Sequence, residues 1–152
     1  MVNPTWTVPE SIARNELLPR EMDNPGYLAS RGFEVLRSTA AGLKPVDTDS
    51  VENWSPASFP YRLRQRPGKN NALGKVKFMM PNPYSVYLHD TPSRGLFKNT
   101  RRAYSHGCVR LGEPQALANY LLESEGWTTA SVNALFDSQQ RKSVNLKRKV
   151  QN

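Results

Sequence analysis

The sequence predicts a mixed α+β domain, and three observations lead to this class. Residues 75–79 and 85–89 alternate polar and apolar side chains, as half-buried strands do. Apolar residues recur at helical spacing after Gly112, and a second helical pattern starts near Thr129. No period is sustained over 38–72, a stretch that contains four prolines. With 152 residues, the chain has the length of a single domain.

The N-terminal half is expected to hold few regular elements. A short helix should begin near Pro9, whose fixed φ suits a first turn, and Pro19 should end it. Residues 33–36 alternate and predict a strand. The stretch 38–72 is long for a loop of a compact domain, and such stretches often form binding loops or lids. Disorder is the alternative, because the stretch is rich in Ser, Thr, Asp and Asn.

The two central strands, at 75–79 and 85–89, are expected to lie side by side, because a proline-containing turn separates them. His89 then lies at the end of the second strand. Residues 103–110 should be extended, since Gly and Val near their end disfavour a helix.

Two helices are expected in the C-terminal part of the chain. The first should have Pro114 in its first turn and stop before Gly126. The second should run from Thr129 to about Ser138, because its apolar residues recur at helical spacing. A short strand is expected at 143–146.

Positive charge is concentrated in the middle of the chain. Residues 61–110 carry eleven basic side chains and one acidic one, in a chain of net charge +8. Such a segment attracts anions, which could be nucleic acid, an anionic membrane or a substrate rich in carboxylates. The sequence has neither zinc-finger spacing nor the aromatic signature of RNA-binding domains, so we expect no nucleic-acid partner.

Three classes of protein are disfavoured by simple counts. No run of 18 apolar residues is present, so no transmembrane helix is expected. The N-terminus lacks the basic and apolar regions of a signal peptide. The chain has one cysteine, Cys108, which excludes an internal disulfide framework.

The stretch with the clearest chemical content is 105–110, Ser-His-Gly-Cys-Val-Arg. In an extended segment, His106 and Cys108 lie on the same face. An imidazole beside a thiol can accept its proton and then stabilise the thiolate, which is the nucleophile. Gly107 leaves room for a carbonyl substrate, whose oxyanion could meet backbone N–H groups. These residue types predict a cysteine nucleophile.

Two other interpretations of these residues remain open. A lone cysteine is most often a buried, unreactive thiol. Alternatively, His89, His106 and Cys108, with Asp90, could bind zinc. Structural zinc sites more often use paired ligands and several thiolates, so we expect no metal.

The stretch Pro83-Tyr84-Ser85-Val86-Tyr87-Leu88-His89-Asp90-Thr91-Pro92, followed by the motif at 105–110, resembles the L,D-transpeptidases with a YkuD-type catalytic domain. The likeness extends to Asn3-Pro4-Thr5-Trp6 and to the stretch 61–68, which resemble the large periplasmic subgroup. In that subgroup, a capping segment precedes the strand that bears the histidine. Nearly the whole chain is similar to this subgroup.

The resemblance implies a YkuD-like β-sandwich, mainly β with an α-rich insertion. Residues 1–152 would form a partial catalytic domain, with a capping segment (a lid) at 8–74 and a catalytic core at 75–152. Family members have further strands before and after the region matched here. The chain is therefore expected to be truncated at both ends and to be marginally stable when it is expressed alone.

The resemblance also implies the chemistry. Cys108 would attack the carbonyl of the third residue of a peptidoglycan stem peptide, and the following D-Ala would leave. His106 would act as general base and then acid, and His89 would lie in the pocket. Gly107 and Cys108 would supply oxyanion N–H groups. The thioester would pass to an amine of a second stem, which forms a 3→3 cross-link without any cofactor.

Four residues are expected to contact the substrate, namely Ser105, Tyr87, Arg102 and Arg110. The partners implied are donor and acceptor stem peptides and carbapenem-type inhibitors. The implied location is the periplasm or cell envelope, and the implied process is cell-wall synthesis. Three alternatives stay open: an L,D-carboxypeptidase that uses water as acceptor, an inactive remnant that only binds stem peptides, and, least favoured, a basic nucleic-acid-binding protein.

Overall fold

The computed structural model describes residues 1–47 and 55–147, and they form two compact units. One unit comprises the described residues of Thr5–Arg66. The other comprises Met1–Pro4 together with the described residues from Pro67 onward. We refer to them as the first unit and the second unit.

The first unit contains an antiparallel sheet with the strand order β1-β4-β2-β3. The strands are β1 (Trp6–Thr7), β2 (Phe33–Thr39), β3 (Gly42–Pro45) and β4 (Arg62–Gln65). The predicted strand at 33–36 is thus confirmed, and it is longer than its apolar pattern. Strands β3 and β4 both lie within 38–72, where no regular element was expected, and this expectation was wrong. Both strands are held by cross-strand backbone pairing rather than by a strong apolar alternation of their own.

Helical structure runs without a break from Glu10 to Asp23, through α1 (Glu10–Ile12), a π-helical segment (Ala13–Leu17) and α2 (Leu18–Asp23). The expectation that Pro19 ends this helix was wrong. Pro19 lies in the first turn of α2, where its missing N–H is not required. The wider π turn before it accommodates the ring, because its hydrogen bonds skip one more residue.

A short helix, α3 (Tyr27–Ser30), joins these helices to β2. The apolar core of the first unit lies between the helices and one face of the sheet. Its buried members are Val8, Ile12, Ala13, Leu17, Leu18, Leu28, Phe33, Val35, Phe59 and Leu63. Of the predicted loop 38–72, residues 48–54 lie outside the described residues.

The second unit contains a three-stranded mixed sheet with the order β5-β6-β7. Strands β5 (Lys77–Met79) and β6 (Tyr87–His89) pair antiparallel, which confirms the expected neighbours. Strand β7 (Val109–Arg110) pairs parallel to β6. A 3₁₀ turn, Arg94–Lys98, lies between β6 and β7.

Both C-terminal helices are confirmed, as α4 (Pro114–Glu123) and α5 (Thr129–Asp137). Thr128 caps α5 through a capping box. Its side chain accepts the backbone N–H of Ser131, and the Ser131 side chain accepts the backbone N–H of Thr128. The helices pack their apolar faces on a core formed by Val2, Val76, Ala118, Leu122, Val132, Leu135 and Phe136. The predicted strand at 143–146 is wrong, since pairing there is limited to one bridge between Lys142 and Val2.

Antiparallel and mixed sheets combined with helices confirm the predicted α+β class. In the part of the chain that the structure describes, no helix is long and apolar enough to cross a membrane.

Candidate active site

The candidate site lies on one face of the β5-β6-β7 sheet. Lys77 is paired with His89 across β5 and β6, so these two side chains point to the same face. Tyr87 shares that face, because it lies two residues before His89. In the parallel pair, Val109 is opposite Leu88 and Arg110 is opposite His89. Cys108 therefore comes alongside Tyr87.

The Tyr87 phenol and the Cys108 thiol are direct neighbours. Burial raises the pKa of Tyr87 to about 12, and the negative charge of a Cys108 thiolate and a hydrogen bond to it add to this effect. The phenol therefore keeps its proton at neutral pH and can donate it in a hydrogen bond to the sulfur. Cys108 itself is a free, partly buried cysteine.

His89 is buried and has a defined orientation. Its Nδ1 lies within hydrogen-bond distance of the Asp90 carbonyl oxygen, which can only accept. Nδ1 must therefore carry the proton in the neutral ring, which leaves Nε2 with a lone pair. Its ring contacts Tyr87 edge to face, with centroids 5.9 Å apart. Burial lowers the pKa of His89, and the nearby charge of Arg110 lowers it further, so the ring is neutral at pH 7.

Asp90 is a buried carboxylate whose oxygens are fully engaged. Oδ1 accepts the Thr91 N–H at 2.7 Å and an Arg94 N–H at 2.7 Å. Oδ2 accepts the Lys75 N–H at 2.8 Å. These bonds fix the residue whose carbonyl orients His89.

Gly74 lies directly against this carboxylate. A Cβ at Gly74 would be 2.3 Å from Oδ2 of Asp90, far inside van der Waals contact. The glycine also has φ +58°, which β-carbon-bearing residues adopt less readily. Both facts make Gly74 a requirement of the Asp90 network.

The second part of the site is the nucleophile loop, which we define as residues 99–108. The extended structure expected over 103–110 is limited to β7, and the chain bends at 105–107. The physical reason is Gly107, whose φ of +119° breaks the alternation. His106 and Cys108 are therefore not placed on one face by strand geometry.

Local hydrogen bonds hold the nucleophile loop. Ser105 Oγ donates to the Cys108 carbonyl at 2.6 Å and accepts the Gly107 N–H at 3.4 Å. Arg110 donates to the Tyr104 carbonyl at 3.0 Å. Arg102 donates through Nε to the Asn99 carbonyl at 2.9 Å. These bonds fold the loop on itself.

A cleft of about 370 Å³ opens beside Cys108. Its lining includes the predicted residues Ser105, Gly107, Arg102 and Arg110. Tyr104 and the aromatic Phe97 of the 3₁₀ turn supply apolar surface. The cleft therefore combines a thiol, two cations and apolar walls.

The structure brings most of the predicted residues together. Tyr87, His89 and Arg110 share the sheet face beside Cys108, and Ser105, Gly107 and Arg102 line the cleft next to it. His106 is exposed in the bend before Gly107.

Sequence reasoning missed three residues, namely Gly74, Lys77 and Arg94. The register of the β5–β6 hairpin could have identified Lys77, because its pairing with His89 follows once the hairpin is aligned. No local signal identified Gly74 or Arg94. Among the described residues, no group of three or more His, Cys, Asp or Glu side chains is arranged to hold a metal ion.

Comparison with known proteins identifies the family. The family model described as the YkuD L,D-transpeptidase catalytic domain matches residues 1–133. A Haemophilus influenzae protein named "Putative L,D-transpeptidase" is 38% identical over 149 residues, which are 97% of this chain and 29% of that protein. This chain thus spans less than a third of the length of that relative. It belongs to the YkuD family of L,D-transpeptidase catalytic domains.

Proposed function

We propose that the chain carries the acyl-transfer site of a peptidoglycan L,D-transpeptidase that forms 3→3 cross-links through a cysteinyl thioester. One observation carries the proposal: a free cysteine lies alongside Tyr87, and the buried His89, whose Nδ1 is held by a carbonyl, lies two residues after Tyr87 on the same sheet face. This combination of groups suits nucleophilic catalysis and needs no cofactor.

In the first half-reaction, His89 Nε2 accepts the Cys108 thiol proton. The sulfur then attacks the carbonyl carbon of the third stem residue, and its C=O electrons move to oxygen. The N–H groups of Gly107 and Cys108 stabilise this oxyanion. In the free protein, the Gly107 N–H makes only a long 3.4 Å bond to Ser105 Oγ, which the oxyanion can replace.

Collapse of the tetrahedral intermediate breaks the peptide bond. The histidine returns its proton to the departing amine, so D-Ala leaves and the thioester remains. In the second half-reaction, a side-chain amine of another stem attacks the thioester and restores the thiol. The basic side chains of Arg102 and Arg110 face the cleft and suit a substrate that bears carboxylates.

The general base in this scheme is His89 rather than His106, to which the sequence motif assigned the role. Three features support His89: it is buried, its Nδ1 proton is fixed, and its lowered pKa keeps it neutral at pH 7. His106 lies in the exposed bend, and we propose that it contributes to the shape of the loop.

The location and the capping segment are proposed by analogy with the family. We propose that the domain acts in the periplasm or cell envelope and that residues 8–74 cap its site. Carbapenem-type compounds are the proposed inhibitors, because they would acylate Cys108.

The decisive experiment incubates the 152-residue chain with a purified disaccharide-tetrapeptide and identifies products by mass spectrometry. A cross-linked dimer that has lost one D-Ala supports the proposal. Tripeptide alone shows water as acceptor and overturns it in favour of a carboxypeptidase. Bound but unchanged substrate, with no carbapenem adduct on the intact protein, overturns the acyl-enzyme. Cys108→Ser is the matched control and should give neither product nor adduct.

A further inference from the structure

Lys77 is a charged group on the site face that the motif at 105–110 does not contain. It lies on β5 directly opposite His89, so its side chain extends over the same face as Tyr87. Its Nζ is 5.1 Å from the centroid of the Tyr87 ring, within the range of a cation–π contact. Tyr87 in turn lies alongside Cys108 in the parallel pairing of β6 and β7. The ammonium therefore belongs to the surroundings of the sulfur.

The groups that act on Lys77 give it a defined electrostatic role. Burial lowers the pKa of Lys77, and repulsion from Arg141 lowers it further, whereas the Cys108 thiolate opposes both effects. The Met1 ammonium is also close, because it donates to the Lys77 carbonyl at 2.9 Å. Among the described residues, no carboxylate forms an ion pair with Lys77.

Lys77 is half-buried and has two cationic neighbours but, among the described residues, no carboxylate partner. A nearby anion would therefore stabilise its charged form strongly. The thiolate of Cys108 supplies that anion, and the Tyr87 ring holds the ammonium near it. His89 faces the same space but is neutral at pH 7, so it offers no charge to the thiolate before proton transfer.

We propose that Lys77 is the standing counter-ion of Cys108, and that its ammonium stabilises negative charge on the sulfur before any substrate binds. This inference rests on Cys108 being the nucleophile of the proposed function. In this proposal, the Lys77 ammonium is a charge partner of the sulfur throughout the reaction cycle. The imidazolium of His89, by contrast, forms only after His89 has taken the proton. Proton transfer from sulfur to Nε2 is thus favoured by a cation that does not itself transfer a proton.

Alkylation of Cys108 tests this without peptidoglycan, so its outcome is independent of the transpeptidase reaction. The rates with neutral iodoacetamide and anionic iodoacetate are measured at pH 7 on the whole chain. Lys77→Met should slow iodoacetamide by about tenfold, the effect of removing one nearby opposite charge. It should slow iodoacetate further, because the local positive potential is also lost. Lys77→Arg should restore both rates.

The matched control is Lys69→Met, which removes one positive charge from an exposed position of the same unit. It should leave both rates unchanged. Equal rates in Lys77→Met and Lys69→Met, with both variants folded by circular dichroism, would overturn the proposal.

If Lys77→Met does not fold, the proposal can still be tested by a measurement on the unsubstituted chain. Selective labelling of lysine side chains, with Lys77→Arg to assign the signal, follows the Lys77 ammonium by NMR. Capping Cys108 with iodoacetamide removes the thiolate and should lower the pKa of Lys77. An unchanged Lys77 titration after capping would contradict the pairing.

Discussion

On one side of Cys108 lies the end of β6, where His89 and Asp90 are buried and bonded to residues far away in the chain. The Lys75 N–H reaches Asp90 across 15 positions, and the Asp90 N–H donates to the Val76 carbonyl at 2.9 Å. On the other side lies the nucleophile loop, which is exposed and whose named hydrogen bonds span six residues or fewer. His89, the proposed base, is thus built into the sheet, and Cys108, the proposed nucleophile, ends a locally bonded loop.

Because of this difference, substitutions in the two regions should have different effects on stability and on activity. A substitution at the β6 end should disturb folding and chemistry together, because the same bonds serve both. A substitution in the nucleophile loop should act on chemistry while leaving the stability of the second unit nearly unaffected. Three experiments distinguish effects on folding from effects on chemistry.

The largest effect is expected on activity, from the two histidines. His89→Gln should lower kcat/KM by about 10²- to 10⁴-fold, the usual value of a general base. His106→Gln, the matched change in the loop, should lower it less than about tenfold. Steady-state kinetics with the tetrapeptide donor measure both. The reverse order would return the role of base to His106 and remove the functional side of the comparison.

The next effect is on stability, from Gly74. Gly74→Ala should cost about 3 kcal/mol, because its Cβ would overlap the Asp90 carboxylate and break buried hydrogen bonds. Gly126→Ala is the control, since Gly126 also has a positive φ (+84°) but has no heavy atom within 4 Å of an added Cβ. It should cost only about 1 kcal/mol. Urea denaturation measures the free energy of unfolding of both variants. Equal decreases would show that the Asp90 carboxylate moves away from the added Cβ without a loss of stability.

The smallest effect is a loss of stability in mild acid that depends on His89. Its folded-state pKa lies below the unfolded value of about 6.5, so the unfolded chain binds more protons in acid. The contribution of neutral His89 to the free energy of unfolding is therefore fully present above about pH 6.5. It is lost progressively as the pH falls below that value. Thermal melting at pH 7.5 and pH 5 should show a smaller difference in His89→Gln than in the unsubstituted chain. An equal difference in His89→Gln and in the unsubstituted chain would contradict the assignment.

Much of the second unit was predictable because its signals are local. Alternation identified β5 and β6, and helical spacing with Pro114 and Gly126 identified α4. Residues 105–110 and His89 were found in the same way, through residue types at short spacing. The predictions failed for β3 and β4 because cross-strand pairing decides there and these strands lack a strong period of their own. They failed at Pro19 for a local reason, because a π turn precedes it and lets the helix continue.

The sequence by itself determined the family and most of the elements that carry the candidate site, because motif and period are properties of neighbouring residues. Only the tertiary structure decided which histidine is buried with its Nδ1 held by a carbonyl. A positive φ at Gly107 ends the alternation that would have placed His106 beside Cys108, and the parallel pairing of β7 with β6 brings Cys108 alongside Tyr87, next to His89. The contact of Gly74 with Asp90 likewise joins residues that are distant in the chain, and no local pattern identified it. The pairing of Lys77 with His89 follows only once the β5–β6 hairpin is aligned.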